Sequence, residues 1–336
     1  MCAPVAGSRC DPHACAVTRI GLVLGAGGVV GQAYHAGVLA ALEHDYGWDP
    51  RSAEVIVGTS AGSITGALLR SGVPASELAA WTVKSPLAPE GTVLREVFGS
   101  EHPKFEPYRP ERLLLRPPAI PELSALKKAV LRPWQIRPLA AALAVIPPGR
   151  LDGADTFASL AQLSGPSWPE QELWICAVRV SDGRRVVFGR DETEVPLSTA
   201  VASSCAAPGY FKPIQINGES FVDGVVHSPT NATVLRDRPL DLILVLSPMS
   251  GPGWPIGPYG LARRHAGWLA RREVTALRRS DTPVLSFRPG HREQQAMGTD
   301  VMSADRLHEI VQESFLAAGP FAAARDLRQL LNGRAA

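Results

Sequence analysis

The chain has 336 residues, 45% of them hydrophobic, and its 34 basic side chains nearly balance 32 acidic ones for a formal net charge of +2. Near-neutrality argues against a dedicated nucleic-acid binder. The length suits one α/β domain that carries an insertion, with apolar residues enough for a large core.

Residues 1–18 mix Pro, Gly, Ser, Arg and Asp and read as a disordered leader without the apolar stretch of a signal peptide. Three of the five cysteines, Cys2, Cys10 and Cys15, fall in it, and Cys176 and Cys205 lie far away. An odd, scattered set is no disulfide framework, and Cys10, His13 and Cys15 lack the paired spacing of a structural zinc site, so no metal is expected. No run approaches the ~20 apolar residues of a membrane span. A cytoplasmic protein is expected, with residues 19–332 as its one domain.

Residues 19–24 read as a buried strand, 25–31 as a glycine-rich turn, and 32–46 as a helix on which Val38, Leu39, Leu42 and Tyr46 recur at helical spacing. A second unit follows: strand 54–57, tight turn 58–62, and helix 63–70 stopped by Gly72 and Pro74. Two such units in succession imply parallel strands. From about 84 to 150 prolines recur and break any long element, which marks an inserted cap with short helices near 123–131 and 139–145. Beyond it come a hairpin (173–180 with 184–188), a small-residue helix (199–206), and a second hairpin (212–216 with 219–222) that stops on Asp223-Gly224. A buried strand (242–246), a Pro/Gly loop (251–260), an arginine-rich helix, strand 284–287 and helices near 304–317 and 321–331 complete the chain.

Two motifs carry chemistry. Gly58-Thr59-Ser60-Ala61-Gly62 fits G-x-S-x-G between a strand and a helix, the setting of a nucleophile elbow. Such a turn lifts the serine hydroxyl above the sheet, and glycines at Gly58 and Gly62 let strand and helix approach. The earlier loop, Gly25 to Gly31, offers bare backbone N–H groups to a phosphate or an oxyanion. A dinucleotide fingerprint needs a small residue where Val30 stands, and no acidic residue follows at ribose-binding distance. Donors near Gly27 and Gly28 therefore fit an oxyanion hole better, with a nucleotide-dependent oxidoreductase as the alternative. The serine needs a base, and Asp223 at a strand end is one candidate. His227 is a rival: in extended chain it lies about 13 Å from residue 223, too far for both to touch Ser60. His35 and His265 stay open as histidines from elsewhere.

With glycine loop, elbow and Asp-Gly in this order, the chain resembles the patatin-like phospholipases. The residues that match run from Ala26-Gly27-Gly28 through Gly31, from Gly58 through Gly62, and along Ala206-Ala207-Pro208-Gly209-Tyr210-Phe211-Lys212-Pro213 before Asp223, with Asn231 as a polar residue after it. The resemblance implies a three-layer α/β/α sandwich on a mostly parallel sheet with an inserted helical cap. It also implies a Ser60–Asp223 dyad without histidine, an oxyanion hole at Gly27 and Gly28, and hydrolysis of lipid carboxylic esters without metal or cofactor. An acyltransferase using the same serine is a variant of this reading, and a catalytically silent lipid-binding or regulatory protein is a rival to it. The chain departs from the family pattern at Val30, where a basic residue is common, and at Val225, where a second glycine often follows the aspartate.

The insertion adds an expectation about partners. Between 101 and 150 it carries Lys104, Lys127, Lys128, Arg132 and five further basic residues against four glutamates, beside the apolar stretches 113–115 and 139–146. A basic, apolar cover suits a peripheral contact with an anionic membrane.

Overall fold

The computed structural model describes residues 18–100, 102, 105–106, 146–147, 149–161, 168–251, 258–280, 282–319 and 331. The expected leader up to residue 17, the cap helices at 123–131 and 139–145, most of the basic groups of the insertion, and the last helix apart from Leu331 lie outside the described residues.

The first strand, β1 (Ile20–Leu24), leads into α1 (Gly28–Tyr46), and β2 (Val55–Gly58) leads into α2 (Ala61–Arg70). Helix α1 starts at Gly28, four residues earlier than the apolar spacing suggests. The second half of the glycine loop is already its first turn, with Gly31 N–H donating to Gly27 O at 3.0 Å. Glycines are poor helix formers, so this turn is hidden in the sequence. A short helix not expected from the sequence, α3 (Ala75–Thr82), comes after Pro74, whose φ of −65° suits a helix entry. The start of the expected insertion contains α4 (Val93–Phe98).

After α5 (Gly153–Thr156), strands β3 (Glu172–Arg179) and β4 (Arg185–Phe188) form the first expected hairpin. Helix α6 (Leu197–Cys205) precedes the second, β5 (Ile214–Ile216) with β6 (Glu219–Asp223). The remaining elements are β7 (Leu242–Leu246), the long α7 (Pro258–Arg278), β8 (Val284–Phe287), α8 (His291–Met297) and α9 (Leu307–Ala318).

The sheet runs β5-β6-β3-β2-β1-β7-β8, with β4 also on β3. From β3 to β8 along this order every pairing is parallel, and β4, β5 and β6 are antiparallel. The alternation of side chains across the strands creates two cores. Ile20, Leu22 and Leu24 of β1, Ile56 of β2 and Leu242, Leu244 and Leu246 of β7 pack with α1, α2 and α9. Val23, Val55, Val57, Ile243 and Val245 face the other way and pack with Val274 and Leu277 of α7. The result is the expected α/β/α layering, and each such fully buried aliphatic side chain contributes about 1.5–3 kcal/mol.

Strand β3 brings the ends of β2 and β6 together. Ile175 of β3 pairs with both Gly58 of β2 and Phe188 of β4, while Ala177 pairs with both Asp223 of β6 and Val186 of β4. Strands β2 and β6 therefore share the edge of β3 opposite β4 and approach along it from opposite directions. Their ends meet two residues apart on β3, about 7 Å.

Candidate active site

Ser60 occupies the turn between β2 and α2 with φ 53° and ψ −121°, backbone angles that a non-glycine residue adopts rarely and at a cost of about 1–3 kcal/mol. The neighbourhood holds it there. Its N–H donates to Ser204 Oγ (2.9 Å), and that hydroxyl donates on to Cys176 O (2.7 Å) in β3. Its carbonyl accepts from Ser63 N–H (2.8 Å) and Ser63 Oγ (2.7 Å). Gly62 must be glycine because a Cβ there would stand 1.9 Å from Leu24 O. Gly58 ends β2 in register with Leu24 and Ile175.

The glycine loop lies beside this turn because β1 and β2 are parallel neighbours. Ala26 N–H donates to Pro229 O (2.7 Å) and Val30 N–H to Val301 O (3.2 Å). Between them, Gly27 and Gly28 donate to no backbone carbonyl among the described residues. Gly28 has φ 62° and a Cβ there would meet Val301 O at 2.5 Å, so both conformation and space demand glycine. Val30, where the family commonly has a basic residue, is buried in the core, and its backbone is tied to residue 301 instead.

Asp223 ends β6 and is 2% exposed. Burial raises its carboxyl pKa from 3.8 to about 7, against hydrogen bonds from the Val225 N–H (2.8 Å) and the Ser60 side chain that favour the ionised form. The structure thus brings Ser60 and Asp223 together. His227 comes after the 3-10 turn Gly224–Val226 and does not line the adjoining cavity. His35 is fully buried against Thr65, its pKa pulled to about 3 by desolvation, and His265 stacks on Trp268 of α7. None of the three meets Ser60.

Ser60, Asp223, Gly27 and Gly28 all line one cavity of about 190 Å³. Its walls are mostly apolar: Ile64, Trp81, Phe98, Phe105, Phe157, Tyr210, Phe211 and Met249, with Val225 beside the aspartate. His102 lines it too, its Nε2 2.9 Å from Thr82 O and its ring edge-on to Trp81. Described residues of the expected insertion reach the walls of this cavity: Phe105 packs on Phe211, and the N–H groups of Gly149 and Arg150 donate to Phe211 O and Tyr210 O, both at 3.2 Å. Cys205 also lines it, with its thiol pKa pushed well above the usual value by burial and by Asp223.

Residues that sequence reasoning missed support the site from behind. Glu273 of α7 is buried, and its Oε2 accepts from Ser228 Oγ (2.7 Å), Thr230 Oγ1 and Ala232 N–H (3.1 Å), while Oε1 accepts from Thr233 Oγ1 (3.1 Å). The loop gathered in this way touches every part of the site. Pro229 O receives the glycine loop, and Asn231 Nδ2 donates to Thr59 Oγ1 (3.1 Å) in the elbow and to Gly224 O (3.2 Å) beside the aspartate. Asn231 is marked in the sequence only by resemblance. Glu273 is a single carboxylate within an arginine-rich helix and carries no sequence signal of this role.

The family model described as patatin-like phospholipase matches residues 22–236, a span that holds the glycine loop, the elbow and the aspartate. The chain belongs to the patatin-like phospholipase family. Among solved structures it is similar to VipD from Legionella pneumophila, at 14% identity and TM-score 0.39 over 88% of this chain and 67% of that one. It is also similar to the type III effector ExoU (16%, TM-score 0.36, 94% and 54%), a protein of Pseudomonas aeruginosa, and to human GIVD cytosolic phospholipase A2 (15%, TM-score 0.36, 94% and 59%). The chain spans little more than half the length of the latter two. A search of curated proteins finds no match. Among the described residues no helix is long and apolar enough to cross a membrane, and no cluster of three or more His, Cys, Asp or Glu side chains is arranged to hold a metal ion.

Proposed function

We propose that the chain hydrolyses carboxylic esters of phospholipids, lysophospholipids or acylglycerols through a Ser60–Asp223 dyad and an acyl-enzyme. The observation that carries this reading is the buried Asp223 carboxyl, hydrogen-bonded with Ser60 at the wall of an apolar cavity and raised to a pKa of about 7. A carboxylate of ordinary pKa is a weak base, and one near 7 is matched to accepting a hydroxyl proton at neutral pH.

Ser60 Oγ attacks the acyl carbonyl carbon as its proton passes to Asp223. The carbonyl oxygen becomes an oxyanion facing the N–H groups of Gly27 and Gly28, where a fixed donor is worth about 10²–10³ in rate. Collapse of this intermediate breaks the ester C–O bond, and Asp223 returns the proton to the departing alcohol. Water then attacks the acyl-enzyme, giving its proton to Asp223, and Ser60 Oγ leaves with that proton. Tyr210, Phe211 and the other aromatic walls suit the acyl chain. The expected insertion, whose residues 105, 149 and 150 touch Tyr210 and Phe211 of the cavity wall, is read as its cap, and a peripheral anionic membrane as the setting in which the substrate is met.

A fluorophosphonate probe tests the assignment, because it reacts with an activated serine hydroxyl. Labelling is expected at Ser60, and Ser60→Ala should abolish both labelling and hydrolysis, a loss of about a thousandfold or more, with folding intact. Hydrolysis by clean Ser60→Ala protein at more than a few per cent of wild type would overturn it.

A further inference from the structure

Helix α7 has two faces with different chemistry. Its buried face, Arg263, Ala266, Gly267, Ala270, Glu273, Val274 and Leu277 at helical spacing, supports the site: Arg263 donates to Pro248 O (3.4 Å), and Gly267 packs on Ser250. Met249, between those two loop residues, lines the cavity. Its exposed face carries Arg264, Arg271, Arg272 and Arg278 and no carboxylate, since the one acidic residue of the helix is the buried Glu273. Interleaved with these arginines are two of the large exposed apolar side chains among the described residues, Leu261 (60% exposed) and Trp268 (45%). The indole is stacked on His265 at 5.7 Å and covered by the Arg272 guanidinium at 4.5 Å.

Resting on the lipid-ester reading, we infer that this exposed face of α7 is a docking surface for an anionic lipid–water interface. Three observations select that occupant. A single-sign row of guanidinium groups complements anionic headgroups, which they bind as bidentate donors. An exposed indole and a leucine on the same face are the groups that enter the headgroup and acyl boundary, while the aliphatic stems of the arginines lie along it. Position supplies the third. The helix begins after the loop that leaves β7, at the carboxyl end of the parallel strands, and Ser60 and the glycine loop come after β2 and β1 at that same end. A lipid surface bound along the first turns of α7 is therefore close to the cavity, and the helix that meets it is the one whose Glu273 holds the site together.

Vesicle co-sedimentation of the full chain tests this without requiring turnover. Binding should be tighter to phosphatidylcholine vesicles containing phosphatidylserine than to phosphatidylcholine alone, and it should weaken as salt rises. Arg271→Gln with Arg272→Gln should lower affinity for the anionic vesicles by about tenfold or more, at the usual contribution of each basic group near such a surface. Leu261→Ala with Trp268→Ala should lower it severalfold on both vesicle types. Both double variants should keep wild-type hydrolysis of a dispersed short-chain ester, since none of the four side chains lines the cavity. Unchanged vesicle affinity in both variants would overturn the inference. So would loss of binding in a Lys127→Glu, Lys128→Glu, Arg132→Glu insertion variant while the helix variants bind normally, or wild-type retention on duplex DNA with none on vesicles. Failure of the wild-type chain to hydrolyse any ester would count against the proposed reaction and leave the vesicle measurement standing.

Discussion

The two sides of the site are held by different means. On the side of the elbow and the glycine loop, backbones touch. Gly62 lies against Leu24 O and Gly28 against Val301 O, and neither contact leaves room for one further carbon atom. The 228–233 loop contains no glycine, and its position comes from hydrogen bonds converging on the Glu273 carboxylate and the Asn231 amide. Close packing tolerates no substitution and leaves its mark on the sequence as glycine. A polar hub can be built from many residue types, and it leaves no comparable mark.

Four measurements press on that contrast. The largest effect is expected for Gly62→Ala, where a Cβ would overlap Leu24 O. It should cost several kcal/mol, so that soluble yield, thermal stability and activity fall together. Asp223→Asn should remove about 10²–10⁴ of the rate while leaving the fold intact. It should also stabilise the protein at alkaline pH. A carboxyl raised from 3.8 to about 7 contributes stability that is fully present below pH 3.8 and lost as pH rises through 7, so at pH 8 the neutral amide gains by up to about 4 kcal/mol. Melting temperatures of the two proteins at pH 4 and pH 8 check this, with convergence expected at pH 4. The wild-type kcat/KM should climb with pH to a plateau above about 7, and a plateau reached already by pH 5 would remove Asp223 as the base.

Glu273→Gln replaces one acceptor oxygen by a donor amide facing hydroxyl and N–H donors. A loss of about 2–4 kcal/mol and a fall of about tenfold in kcat with little change in KM are expected, partly rescued by Glu273→Asp. Equal kcat with lower stability would make the hub structural alone. The smallest effect belongs to Ser204→Ala, which leaves Ser60 N–H and Cys176 O without their shared hydroxyl. About 1–3 kcal/mol and a severalfold drop in kcat should result, read from denaturant midpoints and steady-state kinetics.

The same contrast explains which features were legible in the sequence. Strands β1, β2 and β7, both hairpins and the elbow turn could be read because apolar runs and forced glycines are local signals, whereas Asp223 is one candidate among several until the family resemblance singles it out. The first turn of α1 was hidden because Gly28 to Gly31 look like loop, and α3 because eight residues give too few apolar repeats to stand out. Glu273, Ser204 and the aromatic wall from Trp81 to Phe211 could not be found at all. Their importance lies in partners distant along the chain, and no spacing within one segment encodes such a meeting.

The shared edge of β3 has a consequence for the life of the protein. Ser60 leaves the ribosome before β3, and β3 before Asp223, so the proposed dyad is incomplete until the antiparallel strand has been made and laid in place. An incomplete chain carries a hydroxyl but nothing to take its proton. On the proposed mechanism, hydrolysis is thereby confined to molecules whose sheet has closed.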